Sequence, residues 1–251
     1  MFVQPPKDRC DLTPAIKPVP EVAPRRVLFV GNSYLFYGDG LQNHVRRLAN
    51  EVRPELQIPV GTYKLAAISG SELRDHNIRA YLEPGKLRVT APFEVVVLQG
   101  GSAEATSTQG RAAFEATVID FDQEIRKTGA RTALYMTHAY APPHEQACPD
   151  MISDIEALYV STGNRIGALV IPVGLAFEEA YRRFPGLRLH KAHDSSHPDL
   201  LGSYLAACVT CASLYGSSMD GNQYNYYGAI DKDAARLMQQ VAADTVQSFF
   251  R

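Results

Sequence analysis

Asp194-Ser195-Ser196-His197-Pro198 places a carboxylate three residues before an imidazole, in a turn closed by proline. A carboxylate so placed accepts a hydrogen bond from one ring nitrogen and leaves the other facing outward as a base. Pro198 also suits the first turn of a following helix. A competing reading makes Asp194 or Ser196 a helix cap and His197 incidental. A base needs a nucleophile, and Gly31-Asn32-Ser33-Tyr34 offers one at the end of the apolar run 26–30. A small residue followed by serine there lets the chain turn sharply and lifts the hydroxyl to where a base can reach it. The alternative is a plain turn in which Ser33 caps a helix. Neither G-x-G-x-x-G nor G-x-x-x-x-G-K-[ST] occurs, which weighs against nucleotide binding.

Two further turns carry polar groups of the right kind. In Ile68-Ser69-Gly70-Ser71 the N–H of Gly70 can approach a ligand closely because no Cβ intervenes. Leu98-Gln99-Gly100-Gly101-Ser102 sets an amide and a hydroxyl on a glycine turn, where donors could meet a developing oxyanion. Each has an ordinary alternative, a solvated glycine turn.

Strands and helices must position these turns. Apolar runs at 26–30, 60–68, 93–98, 132–136 and 168–173 read as strands, and all but the second are nearly continuous, as strands buried on both faces are. Between and after them, residues 41–52, 112–127, 151–162, 175–183 and 198–214 read as helices, and Ile230, Ala234, Leu237, Val241 and Phe249 mark one face of a closing helix. Parallel neighbours require crossovers, so the alternation predicts an α/β three-layer sandwich around a roughly five-stranded parallel sheet, flavodoxin-like. Ligands in such folds bind beyond the carboxyl ends of the strands, where the glycine turns fall. The Pro-rich leader, residues 1–25, precedes the domain at 26–251.

Composition narrows the partners. With 25 Lys+Arg and 27 Asp+Glu among 251 residues the formal charge is −2, which gives no electrostatic reason to expect nucleic acid. No run approaches the ~18 consecutive apolar residues of a membrane span. The leader lacks an apolar signal core, which favours a cytoplasmic location over a processed exported form. Cys208 and Cys211 lie in an apolar helical run and read as core packing rather than a redox or zinc pair, since no second ligand pair accompanies them. Cys10 and Cys148 sit in loop-like sequence and could pair in an exported protein. Among the histidines, His44 falls on the polar side of its helix, His193 lacks the D-x-x-H spacing, and His138 with His144 would make a metal pair without a third ligand. Tyr34, Phe36, Tyr37 and Tyr140 are candidates for an aromatic wall or for core.

Together, Gly31-Asn32-Ser33, Gly70, the turn from Gln99 to Ser102 and Asp194-x-x-His197 resemble the blocks of the SGNH (GDSL-like) hydrolase family, in the family's order and over residues 26–214. Asn32 stands where many members have Asp. Residues 172–177 and 202–207 look like a bacterial branch close to carbohydrate esterases. The family's third block is usually G-x-N-D, so here Gln99 or Ser102 takes the role of the oxyanion-binding Asn; a Gln amide is the better donor, which favours Gln99.

The resemblance implies a serine esterase with Ser33 as nucleophile, His197 as base and Asp194 as its orienter. The N–H groups of Ser33 and Gly70, with Gln99 or Ser102, would form the oxyanion hole, and no cofactor or metal is required. A short-acyl ester, of a carbohydrate or a similar small molecule, is the expected substrate. The alternatives are an acyltransferase on the same triad and a non-catalytic binding protein of the same fold.

Overall fold

The computed structural model of the chain describes residues 12–19 and 23–251. The apolar run after the leader forms β1 (Val27–Gly31), every residue of it buried. A short helix α1 (Ser33–Phe36) leaves its end, followed by α2 (Leu41–Val52), β2 (Tyr63–Ala67), α3 (Ile78–Leu82) and β3 (Val95–Leu98). The second half alternates α4 (Thr108–Lys127), β4 (Arg131–Tyr135), α5 (Met151–Ile166), β5 (Leu169–Ile171) and α6 (Val173–Arg183), then closes with α7 (Leu200–Tyr215) and α8 (Lys232–Phe249). The five strands form one parallel sheet in the order β2-β1-β3-β4-β5, the flavodoxin-like arrangement.

Strand side chains alternate between two cores, as a period of two requires. Val27, Phe29, Val95, Val97, Ala133, Tyr135 and Ile171 face α2, α6, α7 and α8. Leu28, Val30, Val96, Leu98, Leu134 and Val170 face α4 and α5 through Phe114, Val118, Ile125, Ile155 and Tyr159. All the strands run the same way, so the ends of β1, β2 and β3 lie side by side: Val30 pairs with both Ala66 and Leu98. This register gathers the three glycine turns on one edge of the sheet.

Several expectations are corrected. β2 begins at Tyr63, and Val60 is largely exposed. Helix α7 begins at Leu200 with Asp199 as its cap, accepting from the Gly202 N–H at 3.0 Å, so Pro198 precedes the helix. The inward face of α8 is Ala235, Met238, Val241, Ala242, Thr245 and Phe249, with Leu237 turned to solvent. His44 is buried rather than on a solvated face; its Nε2 bonds to the Gly38 carbonyl at 2.5 Å and its Nδ1 to the Tyr224 hydroxyl at 2.9 Å, which compensates the burial of a polar ring. Cys208 and Cys211 are buried in the core, where burial pushes both thiols up. Cys10 lies outside the described residues, and Cys148 is exposed. The described part of the leader is held to the domain by Asn164, whose Oδ1 accepts from the Ala15 N–H at 2.7 Å and whose Nδ2 donates to the Thr13 carbonyl at 2.9 Å.

Candidate active site

Ser33 is the first residue of α1, and Asn32 is its N-cap, accepting from the Tyr34 N–H at 3.1 Å. The capping task therefore falls to Asn32 and leaves the Ser33 hydroxyl free for other work. The other end of the Asn32 amide donates to the Ser71 carbonyl at 3.1 Å. A carboxylate could cap the helix but has no proton to give Ser71, so asparagine joins the nucleophile turn to the Gly70 turn where aspartate would not.

The loop carrying Asp194 and His197, between α6 and α7, reaches the same edge of the sheet. Its base is a short antiparallel contact between His190 and Pro198, with hydrogen bonds from Lys191 N to His197 O at 2.8 Å and from Asp199 N to Leu189 O at 2.8 Å. Ser195 at the tip has φ +52°, in the left-handed region that non-glycine residues seldom adopt. The conformation is held from outside: Ala141 N donates to Ser195 O at 2.9 Å, and His138 Nε2 donates to Ser196 O at 2.9 Å. Tyr34, beside Ser33, ties the two turns together through its hydroxyl, 2.7 Å from Ser196 Oγ.

Ser33 Oγ lies 2.8 Å from His197 Nε2, and His197 Nδ1 lies 2.7 Å from Asp194 Oδ2. An ionised carboxylate only accepts, so Nδ1 carries the proton and Nε2 is the acceptor facing Ser33. The other oxygen, Oδ1, receives the N–H groups of Ser196 at 2.9 Å and His197 at 3.0 Å. Partial burial raises the Asp194 carboxyl, but the Ser196 N–H, the His197 ring and the His197 N–H outweigh it and bring the group down to about 2. His193, which the spacing had excluded, also touches Asp194, its Nε2 lying 3.0 Å from Oδ2 on the exposed side. The neighbouring position lets its ring fold back onto the carboxylate from solvent.

A cleft of about 520 Å³ opens above Ser33 and His197, lined also by Gly70, Gly101, Ser102 and Glu104. Ser33 and Gly70 thus line one cavity. The preference for Gln99 over Ser102 is corrected. Gln99 is 1% exposed and does not line the cleft. Its Oε1 accepts from the Asn32 N–H at 2.9 Å and its Nε2 is bonded to the Gly100 carbonyl, so both ends of the amide are occupied beneath the nucleophile turn. Ser102 does line the cleft. Its Oγ accepts from the Tyr140 hydroxyl at 2.8 Å, which leaves its own proton to donate.

The remaining histidines serve the scaffold. His138 is stacked between Tyr34 and Phe177, with ring centroids 4.3 Å away on each side, and burial holds it well below its usual range. His144 stacks on Tyr140 at 3.9 Å. Among the described residues no group of three or more His, Cys, Asp or Glu is arranged to hold a metal ion. Sequence reasoning missed the roles of His138 and Glu104, which lie outside every recognised block. Tyr34 and Tyr140 carried a signal, as aromatics next to candidate turns.

No protein-family model and no curated protein sequence matches this chain. Solved structures do. A DUF4886 family protein from Bacteroides uniformis superposes with a TM-score of 0.64 at 17% identity, over 90% of this chain and 96% of that one. A protein described as an SGNH hydrolase from Slackia heliotrinireducens gives 0.59 at 20% identity, over 75% of this chain and 97% of its own. A variant of the acetyl-xylooligosaccharide esterase from Geobacillus stearothermophilus gives 0.59 at 19% identity, over 77% of this chain and 95% of its own. The chain has the α/β fold that SGNH hydrolases and acetyl xylan esterases share.

Proposed function

We propose that the chain is a serine esterase of the SGNH hydrolase type that removes short acyl groups from hydroxyl-rich alcohols such as carbohydrates. The observation that carries this reading is the unbroken relay from Asp194 Oδ2 through His197 to Ser33 Oγ, with both links at 2.7 to 2.8 Å, at the floor of a cleft. His197 Nε2 takes the hydroxyl proton as Ser33 Oγ bonds to the ester carbonyl carbon, and Asp194 stabilises the imidazolium that forms. The N–H groups of Ser33 and Gly70 and the hydroxyl of Ser102 donate to the oxyanion, each worth ~2.7–4 kcal/mol of barrier in comparable sites. Collapse of the tetrahedral intermediate expels the alcohol, which leaves with the proton held on His197. Water, deprotonated by the same ring, then attacks the acyl-enzyme and releases the acid.

The lining supports the substrate class. Ser69, Thr106 and Ser107 bring hydroxyls and Glu72 and Glu104 carboxyls to the lining, while Ala103 is the one aliphatic side chain among the described lining residues. A long acyl chain would find little apolar wall, whereas a sugar hydroxyl would find partners. The structural neighbours point the same way, since they include acetyl xylan and acetyl-xylooligosaccharide esterases. The test is release of acetate from aryl acetate and acetylated xylose oligomers by the wild-type chain and by Ser33→Ala. Turnover carried by wild type and abolished in the variant supports the reading, and equal turnover in the two rejects it. A parallel assay with added alcohol separates hydrolysis from acyl transfer.

A further inference from the structure

Three consecutive residues of the turn after β3 are each held by a different side chain. The Gly100 N–H donates to the Tyr159 hydroxyl at 3.1 Å, the Gly101 N–H to Glu104 Oε2, and the Ser102 hydroxyl is bonded to Tyr140 at 2.8 Å. Glu104 is the central member. Its carboxyl fills the space that Gly100 leaves open, because a Cβ on Gly100 would collide with Oε2 and with the Phe114 ring. Its backbone is clamped in turn by Gly110, where an added Cβ would strike the Glu104 carbonyl. The residue is 5% exposed, yet it lines the same cleft as Ser33 and Ser102.

We propose that Glu104 is a positioning residue for the oxyanion side of the cleft: its carboxyl holds Gly101 and so sets Ser102 opposite Ser33, and its protonated form is the one that serves turnover. The inference rests on the esterase reading. A neutral carboxyl holds the turn without setting a negative charge beside a developing oxyanion, whereas an ionised one opposes that charge. The surroundings favour the neutral form. Burial pushes the Glu104 carboxyl up, the Gly101 N–H pulls it down, Glu72 and Asp75 raise it and Arg74 lowers it, for a result of about 7. Arg74 is itself paired with Glu72 at 2.7 Å, Tyr159 faces the carboxyl from α5, and Arg111 on α4 is turned to the Ala105 carbonyl at 2.6 Å.

The experiment compares kcat for an aryl acetate across about pH 5 to 9 in wild type, Glu104→Gln and Glu104→Ala. Gln keeps an oxygen acceptor for Gly101 but cannot ionise. Wild type should lose activity above neutrality, E104Q should lack that alkaline decline, and E104A should fall roughly 10- to 100-fold below E104Q at every pH. An alkaline decline that persists in E104Q, or an E104A variant equal to wild type, overturns the proposal while leaving the esterase reading in place. A wild-type chain without turnover instead overturns the esterase reading. In that case the Gly101 amide resonance, followed through the same pH range, reads Glu104 directly: a step in wild type that is absent in E104Q supports the link, and no step in either overturns it.

Discussion

The relay of Asp194, His197 and Ser33 makes separable predictions for single side chains. Ser33→Ala removes the nucleophile and should lower kcat by about 10⁶-fold with little change in melting temperature, and Asp194→Asn removes the tautomer control and should lower kcat by about 10⁴-fold. Ser102→Ala and Gln99→Ala distinguish the two candidates for the third oxyanion donor. Ser102→Ala should reduce kcat about 10²-fold in a stable protein. Gln99→Ala should act first on stability, by roughly 1–3 kcal/mol in urea unfolding, because it strands the buried Asn32 N–H. The reverse pattern would return the role to Gln99. Asn32→Asp is a finer probe: it keeps the cap of α1 but sets a carboxylate against the Ser71 carbonyl, and should cost roughly 1–3 kcal/mol.

Elements decide whether those side chains meet. Helix α7 starts immediately after the loop of Asp194 and His197 and lies against the segment that leads into it. At Gly202 the approach is so close that an added Cβ would collide with the Leu189 carbonyl, the same carbonyl that receives the Asp199 N–H at 2.8 Å. Gly202→Ala should therefore push the helix off this segment, costing about 1–3 kcal/mol of stability. It should also lower kcat, since residues 189–199 carry the base; a variant with normal kcat would show that the loop is held from elsewhere. The candidates for holding it are visible: His138 donates to Ser196, and Tyr34 bonds to the Ser196 hydroxyl. Tyr34 sits in α1 just after β1, and His138 lies in the segment just after β4, so both are carried by residues that follow the sheet's strands.

Across the whole molecule, buried titratable groups shape the pH range in which the fold is stable. Burial holds His190 down to about 4 against an unperturbed 6.5, although its bond to the Ala139 carbonyl resists the shift. Above 6.5 the ring is neutral folded or unfolded; between 6.5 and 4 the unfolded chain takes up a proton that the native state refuses. Stability is therefore lost as pH falls through that window, on the order of 3 kcal/mol for this one group. Glu104 acts in the opposite sense: raised from 4.5 to about 7, it favours the fold while protonated and loses that contribution as pH rises through the interval. On acidification from about pH 7 to 4.5, His190→Gln should lose less thermal stability than wild type, and Glu104→Gln should gain less. A scan of melting temperature against pH in the three proteins checks both signs. Asp194, held down to about 2 from 3.8, adds a loss only at lower pH.

Several of these features were legible in the linear chain because their cause is local. Buried parallel strands make continuous apolar runs, and glycine ends such runs where the backbone must turn, so four of the five strands and the turns at Ser33, Gly70 and Gly100 could be read directly. Asp194 and His197 lie three residues apart, close enough for spacing alone to report their contact. Periodicity is weaker where two faces compete, as in α8, where Leu237 continues the apolar pattern but Met238 faces the core. Tertiary structure alone decided what crossovers bring together: Ser33 beside His197 across 164 positions, Tyr34 against His138, Gln99 locked beneath Asn32, and Glu104 inserted at Gly100. Hydrogen-bond partners and close approaches of this kind depend on the space left by distant segments, and no local pattern of residue types encodes that space.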